Sequence, residues 1–573
     1  MKKLIAMLLA VVMVFGMLAG CGSSGTSAAS AAETASNAAE ETETEEAEEA
    51  EEAEDEAPVV EEIEIPEVAE EADYSAFPEN YPMLCEDGSM TITGFQSTNP
   101  NMADLMTDYN DLVWWQEVSE LTGLNFEWSM ASYASVEEQF NLLVAASDLP
   151  ALVGTANYYS DGITSAIEND IFVDLSEYME TYAPDYLATI AQPDVYPAVT
   201  DDNGSVMAFY QIGMEEFVPN NGVFLRGDLF EEQGIDIPET YDQYEEALLA
   251  LKDAYDLEAP IYHYTDNNGW LSGGEGVKQG FSLDADGNCI YGPTTDAYRS
   301  YLQRTNKWYS EGLIYHDFYV IPDGQNIGYM VDYMSSGKSV VTFGYCEFAG
   351  MIELGEGQYF SAGYIPRNNE GDEVHLTEGV DRKVATSVAY GISTNATEEE
   401  TETLCMMMNY FYTEEGALFA NYGVEGQTFE YDENGTPWYT DLIINNPDGL
   451  TQTQALLTYI GYMVPCYADY TKYNISTLTT WADFVEAWGA ADNAWDMPQV
   501  SLTTEEQETY SAKASDVETY LDETLIKFII GDLDINDDAV WESYLADLDS
   551  LGVGDMIDVY SAALERFNAR AAA

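Results

Sequence analysis

Basic residues are scarce. Only 17 Lys and Arg stand against 106 Asp and Glu in 573 residues, a formal charge of −89. A chain so poor in cations lacks the side chains that neutralise phosphates. This argues against nucleic acid and against adhesion to anionic membrane surfaces, and it makes a polyanionic ligand an awkward partner. Histidine is scarcer still: His263, His316 and His375 are the only ones, and none has ligand spacing with another. Beyond Cys21 the cysteines are Cys85, Cys289, Cys346, Cys405 and Cys466. They are odd in number, widely spaced and without a CxxC, so zinc is unsupported and a disulfide framework is not expected. They read as small buried hydrophobes. No G-x-S-x-G, H-E-x-x-H or P-loop occurs, and three scattered His leave little material for a Ser/His or Cys/His arrangement. None of these shortages means disorder. Apolar residues make up 46% and aromatics 13%, with 42 Tyr and 10 Trp, far from an aromatic-poor unfolded composition. At roughly 100–200 residues per domain, the length suggests at least two domains.

The acids fall into two populations. Residues 22–73 hold 20 of them and no base, whereas residues 74–573 carry 86 acids and 15 bases. The first segment is a Ser/Ala/Gly stretch followed by a Glu/Ala run over 41–56. Like charges repel along such a run and oppose a helix, so it reads as an extended tether. Ahead of it, Lys2 and Lys3 precede an apolar run over 4–19 that ends Leu18-Ala19-Gly20-Cys21. The run is short for a membrane span and has the layout of an export signal over 1–20. Its end resembles the lipobox of bacterial lipoproteins, which implies cleavage before Cys21 and diacylglyceryl attachment to its thiol. An ordinary signal peptide that happens to contain Cys is the alternative. Two or more acyl chains make a lasting anchor, so the expected location is the outer face of the cell membrane, held by lipid alone.

The body alternates short apolar strands with amphipathic helices, the pattern of an α/β protein. Strands are expected at 90–93, 124–128 and 151–154, with helices over 112–121 and 136–146 between them. Thr240 and Gln243 form a capping box ahead of the stripe Tyr241, Tyr244, Leu248, Leu251. Further helices are expected around 298–309, ending at Gly312, around 404–411, ending before Gly416, and around 556–567. Two segments look calcium-like, 284–288 (Asp-Ala-Asp-Gly-Asn) and 432–435 (Asp-Glu-Asn-Gly). Tight turns with positive φ explain them better. The run 532–536 copies three EF-hand ligand positions but fails at Asp537 and Ser543. The sequence calls for no cofactor; structural calcium is the one ion left open.

Several segments then carry a resemblance. They are Phe-Leu-Arg-Gly-Asp-Leu-Phe at 224–230, Gly-Ile-Asp-Ile-Pro-Glu-Thr-Tyr at 234–241 and Asn-Lys-Trp-Tyr-Ser-Glu-Gly-Leu-Ile at 306–314. Ala-Tyr-Gly-Ile-Ser at 389–393, Asn-Tyr-Gly-Val-Glu-Gly at 421–426 and Lys-Phe-Ile-Ile-Gly at 527–531 complete the series. In order and spacing, residues 85–573 resemble the sugar-binding lipoproteins of bacterial carbohydrate ABC importers. The resemblance implies a two-lobed periplasmic-binding-protein-like fold of type II, with a hinge crossed more than once and a ligand cleft between the lobes. One lobe is expected over 85–213 plus about 380–420, and the other over 214–379 plus about 421–573. It also implies an oligosaccharide ligand, permease subunits and through them an ATPase as partners, and a monomer.

The resemblance places ligand contacts on loops after strands. Gln96, Ser97 and Asn99 follow the first strand, and Asn157, Tyr158 and Tyr159 follow the third. Tyr210 and Gln211 follow a strand over 205–209, Tyr264 and Trp270 lie in a second-lobe loop, and Tyr345 and Glu347 follow a strand over 340–343. Arg382 precedes the return strand, and Trp438 sits beyond the 434–435 turn. The residue types suit the chemistry. A sugar presents a C–H face that aromatic rings bury and an edge of hydroxyls that amides and charged groups bond, in a concave pocket. With 73 aromatics in the chain, core or rim packing is the competing reading of each ring. The acidic body disfavours uronate polymers and favours a neutral oligosaccharide. A glycoside hydrolase needs only two flanking carboxylates, but nothing singles out a pair, so an enzyme is not expected. A surface glycan adhesin without importer coupling is the other alternative.

Overall fold

The computed structural model describes residues 65–66, 68–69, 72–102, 105–214, 221–262, 269–320, 332–345, 354–376, 383–469 and 481–571. Cys21, Tyr264, Cys346, Glu347 and Arg382 lie outside the described residues, as do the export signal and nearly all of the tether. No helix among the described residues is long and apolar enough to cross a membrane.

A six-stranded sheet organises the first core. Its order is Tyr467–Ala468, Phe209–Gly213, Val384–Ile392, Leu152–Val153, Thr91–Thr98 and Asn125–Ser132. Thr91–Thr98 pairs in parallel with both Asn125–Ser132 and Leu152–Val153, whereas Val384–Ile392 runs antiparallel to its two neighbours. Five strands therefore point one way and the return strand the other. The strands at 90–93, 124–128 and 151–154 and the helices between them stand where the apolar pattern predicts. The helix Val113–Thr122 buries Trp114, Trp115, Val118 and Thr122 and stops at Gly123, whose φ of 72° suits the left-handed cap. Gly94 is needed for close packing, because a Cβ there would lie 2.4 Å from the Trp128 ring.

The second core surrounds the strand Asn221–Leu225, which pairs antiparallel with Val341–Tyr345 and Ser361–Gly363. The expected capping box starts the helix Tyr241–Tyr255: Thr240 accepts from the Gln243 amide, and the Gln243 side chain reaches back to the Thr240 backbone. The helix Asp296–Ser310 buries Tyr298, Tyr301, Leu302, Thr305 and Trp308 on one stripe. Three C-terminal helices, Thr504–Ile530, Asp538–Leu551 and Val553–Ala571, complete this half.

Core membership shows how the chain moves between the two bodies. Residues of the first core run from Ile92 to Ile212 and again from Val384 to Ala468, while those of the second run from Val223 to Val374 and from Ala491 to Met556. The sequence assigns 421–573 to the second lobe, yet Leu457, Val464, Cys466 and Ala468 pack in the first core. The reason is hydrogen bonding at a sheet edge. Phe209–Gly213 would present unpaired backbone groups, and the segment around 466–468 covers them: the Ile212 amide donates to Cys466 O and the Met214 amide to Ala468 O.

Two local expectations resolve on simple grounds. The hairpin Phe281–Leu283/Cys289–Tyr291 turns through Gly287 at φ 82°, and Phe429–Tyr431/Pro437–Tyr439 through Gly435 at φ 84°. Asp284 accepts from the amides of Asp286 and Asn288, and Asp432 from those of Asn434 and Thr436. The first carboxylate of each calcium-like segment is engaged by its own turn. Gly416, expected beyond a helix end, instead sits inside the next helix, Glu414–Tyr422, capped by Thr413. A Cβ on Gly416 would lie 1.8 Å from the Tyr410 carbonyl oxygen, so the tight packing of these two helices requires glycine there.

Candidate ligand-binding site

At the carboxyl ends of Thr91–Thr98 and Leu152–Val153, beside the reversed return strand, lies a cavity of about 290 Å³. Open α/β sheets place ligands at such a switch in strand direction, because the connecting loops diverge there and leave a crevice. Gln96, Ser97 and Asn99 line it from the first strand, and Gly154, Thr155, Asn157 and Tyr158 from the third. The return strand contributes through a bulge. Ala385 lies opposite Gln211 and Ala389 opposite Tyr210, so 386–388 loop out of register. That places Ser387 and Val388 in the wall. The far side is the segment after the helix Gln452–Tyr459, with Tyr462, Met463 and Val464. Met463 holds a left-handed φ of 65° and is 47% exposed at this wall. Such a backbone is uncommon for a residue with a side chain and is held only where the surroundings fix it.

A hydrogen-bond chain fixes the polar face. Gln96 Nε2 donates to the Tyr390 hydroxyl at 3.0 Å, and Gln96 Oε1 accepts from the Ser97 amide at 2.8 Å. The Tyr109 hydroxyl donates to Ser97 O at 2.7 Å. Burial pushes the phenols of Tyr109 and Tyr390 well up from their ordinary value, so both stay neutral in water near pH 7. Gly154 makes room for this arrangement: a Cβ there would lie 2.4 Å from Gln96 Nε2 and 3.0 Å from the Tyr390 ring. Two buried atoms of lining residues, Trp114 Nε1 and Thr155 Oγ1, have no hydrogen-bond partner among the described residues. A buried polar atom without a partner is costly.

Among the described residues that line it, none is Asp, Glu, Lys, Arg or His. The walls are neutral amides and hydroxyls together with the rings of Tyr109, Trp114, Tyr133, Tyr158, Tyr390 and Tyr462. This combination buries a weakly polar ring face and bonds a rim of hydroxyls. The described part of the wall holds no countercharge for an ionised ligand.

The sequence-predicted residues divide sharply. Gln96, Asn99, Asn157 and Tyr158 meet in this cavity. Tyr159 does not line it; it is half-buried with its ring edge against Phe172. Tyr210 and Gln211 lie inside the strand Phe209–Gly213 rather than after it, and both are buried. Trp270 is 2% exposed and packed in the second core, so it is a core residue and not a platform in this cavity. Trp438 is exposed on the hairpin strand Pro437–Tyr439, away from these walls. Tyr345 closes the strand Val341–Tyr345, opposite Asn221, and its side chain is outside the described part. Trp114, Tyr109, Thr155, Ser387, Tyr390 and Tyr462 were not anticipated. Trp114 carried one signal, its place on an apolar helical stripe, but that signal also describes any core residue.

These observations define the class: a two-lobed α/β fold, in which the chain passes repeatedly between two bodies. Known structures agree. The alginate-binding protein AlgQ2 superposes with a TM-score of 0.67 at 20% identity, over 83% of this chain and 98% of its own. FusA, the ABC-transporter substrate-binding protein of S. pneumoniae solved with kestose, gives 0.67 at 16%, over 84% and 99%. An HMO-binding, ABC-transporter-associated solute-binding protein of Bifidobacterium longum infantis also gives 0.67 at 16%, over 84% and 99%. In sequence, lipoprotein LipO of Bacillus subtilis is 23% identical over 448 residues, 74% of this chain and 84% of LipO. No protein-family model matches the chain.

Proposed function

We propose that this protein is the substrate-binding lipoprotein of an ABC importer and captures a neutral oligosaccharide in the cavity beside Gln96 and Tyr158. The observation that carries this reading is the wall itself: aromatic rings and neutral hydrogen-bonding groups, with no Asp, Glu, Lys, Arg or His among its described residues. Gln96, Asn99, Asn157 and Thr155 bond hydroxyls, Tyr158 and the exposed Tyr133 take the ring faces, and the buried Trp114 backs the wall. The reading is capture rather than cleavage, in keeping with the similarity to substrate-binding proteins. The lobes, 85–213 with the return through 384–468 and 221–376 with the C-terminal helices, close on the sugar by a hinge motion. The loaded protein, a monomer, then delivers its cargo to permease subunits driven by an ATPase. The likeness to LipO and the lipobox at Cys21 support a palmitate-bearing, lipid-anchored form on the outer face of the membrane, made with a cleaved signal peptide.

Calorimetry against neutral and uronate oligosaccharides of about two to six sugars tests the reading, a size range that fits a pocket of a few hundred Å³ once the lobes close. Saturable binding of a neutral glycan without release of reducing ends is the expected result. Binding confined to uronates, or reducing ends appearing in proportion to protein, overturns it.

A further inference from the structure

Two walls of the cavity beside Gln96 belong to the first body, yet side chains of the second hold them from behind. The segment concerned leads into and opens the helix Thr504–Ile530. Gln499 Nε2 donates to Thr386 Oγ1 at 2.6 Å. Thr386 is the first residue of the bulge that carries Ser387 and Val388 into the cavity wall. A bulge disrupts the ladder locally, so its shape depends on what else touches it. Gln507, in the first turn of the helix, is 8% exposed. Its Nε2 donates to Ser160 O at 3.1 Å and to Ser511 Oγ at 3.0 Å. Ser160 lies just beyond Tyr158, at the end of the loop that brings Asn157 and Tyr158 to the cavity. Thr504, in the same turn, donates to Glu168 Oε2 at 2.8 Å and so grips the short helix Gly162–Glu168 that follows the loop.

We infer that Gln499 and Gln507 are positioning residues of this cavity: neither is among the described residues that line it, and each fixes a wall segment whose own residues do. Their role rests on the reading of this cavity as the glycan site. Gln507 is set apart by its burial. A buried amide is tolerated when it is hydrogen-bonded, and Nε2 meets that demand by fixing the backbone at Ser160. Apolar packing would set only a spacing between the two elements, whereas a directional bond to one carbonyl also sets their register. Gln499 acts differently, on a side-chain hydroxyl in a strand whose ladder is broken there. The far end of both supports is firm. Leu502 packs with Val559 and Ala563 of the last helix, and Glu506, which caps Thr504–Ile530, accepts from Arg566 of that same helix. The C-terminal helices thereby shape a cavity that they do not enter.

Gln499→Leu and Gln507→Leu keep the approximate size of each side chain and remove its donor. Hydrogen–deuterium exchange on the ligand-free full chain, read by mass spectrometry, is the first test. Amides of 156–161 should exchange about tenfold faster in Gln507→Leu, and those of 384–390 about tenfold faster in Gln499→Leu, the scale of local opening after one lost hydrogen bond. Each variant should leave the other segment and the helix Tyr241–Tyr255 at the parental rate, which a general loss of stability would not do. Calorimetry with maltotetraose, cellotetraose and mannotetraose is the second test. Any of the three that binds the parent should bind each variant about three- to tenfold more weakly. The loss from Gln507→Leu should shrink by more than half in a Tyr158→Ala background, because residues that act as one unit are not additive. Exchange at parental rates in both segments overturns the inference, as does uniform acceleration across both bodies. Full additivity with Tyr158→Ala overturns it for Gln507. If the parent binds none of the tetrasaccharides, the sugar reading falls and the exchange rates still decide the positioning.

Discussion

Trp114 and Phe419 stack with ring centroids 4.3 Å apart and planes inclined by 27°, and Trp114 faces the neutral cavity while Phe419 faces an acidic recess. One aromatic pair therefore separates the cavity from a surface recess rimmed by Glu117, Glu120, Glu415 and Glu425. Phe419→Ala removes the platform behind Trp114. It should lower stability by about 2–3 kcal/mol, somewhat under the usual cost of deleting a fully buried Phe, because Phe419 is only half-buried. Urea unfolding measures that loss. Glycan affinity should fall in the same variant, since Trp114 loses its fixed orientation, and Phe419→Leu should restore most of both.

Tyr158 and Trp270 make a second comparison, because the sequence treated them alike and the fold does not. Tyr158 is half-buried at the cavity, and Trp270 is packed inside the second core. Tyr158→Ala should weaken glycan binding by about 1–3 kcal/mol, the scale of a buried apolar contact, with little change in stability. Trp270→Ala should cost about 3–5 kcal/mol of stability instead. Calorimetry and urea unfolding on both variants separate the two roles. A selective binding loss in the Trp270 variant would reverse this assignment.

How far the site was legible follows from where its residues sit along the chain. Gln96, Asn99, Asn157 and Tyr158 were readable because each follows a short apolar strand closely, and a polar stretch after such a strand marks a loop at the sheet's end. Tyr390 was not, because it reaches Gln96 only when a strand 294 positions away enters the sheet antiparallel. Ser387 needed the bulge opposite Tyr210 and Gln211, which no local pattern announces. Tyr210 and Trp270 were misplaced for a related reason. An aromatic near a strand end has the same sequence signature whether its ring faces solvent or core, and only packing decides. The secondary structure of the body was easier to read, since helical stripes such as Tyr298, Tyr301, Leu302 and Trp308 are local.

Gly154 tests the close approach at the centre of the cavity. A Cβ there would meet Gln96 Nε2 at 2.4 Å, the far end of a flexible side chain. Gly154→Ala should therefore fold, displace Gln96 and break its bond to the Tyr390 hydroxyl. Affinity for the glycan should drop about tenfold, the scale of one to two hydrogen bonds. Tyr390→Phe should show a smaller loss in the same direction. Full affinity in Gly154→Ala would mean that Gln96 does not touch the ligand.

Anchoring is testable apart from binding. Cys21→Ser should abolish incorporation of labelled palmitate and release the protein into the medium, because no acyl chain is left to hold it. Glycan affinity of the released protein should match that of the anchored form. Retention of Cys21→Ser in the membrane fraction would show that some other feature holds it.

The last prediction concerns acid stability at the junction of the two bodies. Arg566, on the C-terminal helix, donates to Asp202 beside the first core and to Glu506, the latter at 2.8 and 2.5 Å. Arg570 donates to the carbonyls of Asp201 and Thr200 at 2.6 and 3.2 Å. Burial alone would raise the Glu506 carboxyl, but the Arg566 hydrogen bond and the Thr503 amide outweigh it and hold the group below its ordinary value of 4.5. A carboxyl whose value falls on folding stabilises the native state above its unfolded range. That contribution disappears as pH drops through the folded value. Stability should thus decline on acidification below about pH 4.5. Arg566→Leu should lower stability at pH 7 by about 1–3 kcal/mol, the range for hydrogen bonds to charged groups, and flatten the acid decline. Urea midpoints measured from about pH 3 to 7 give the slope directly through proton linkage. An unchanged acid slope in Arg566→Leu would place the titrating group elsewhere.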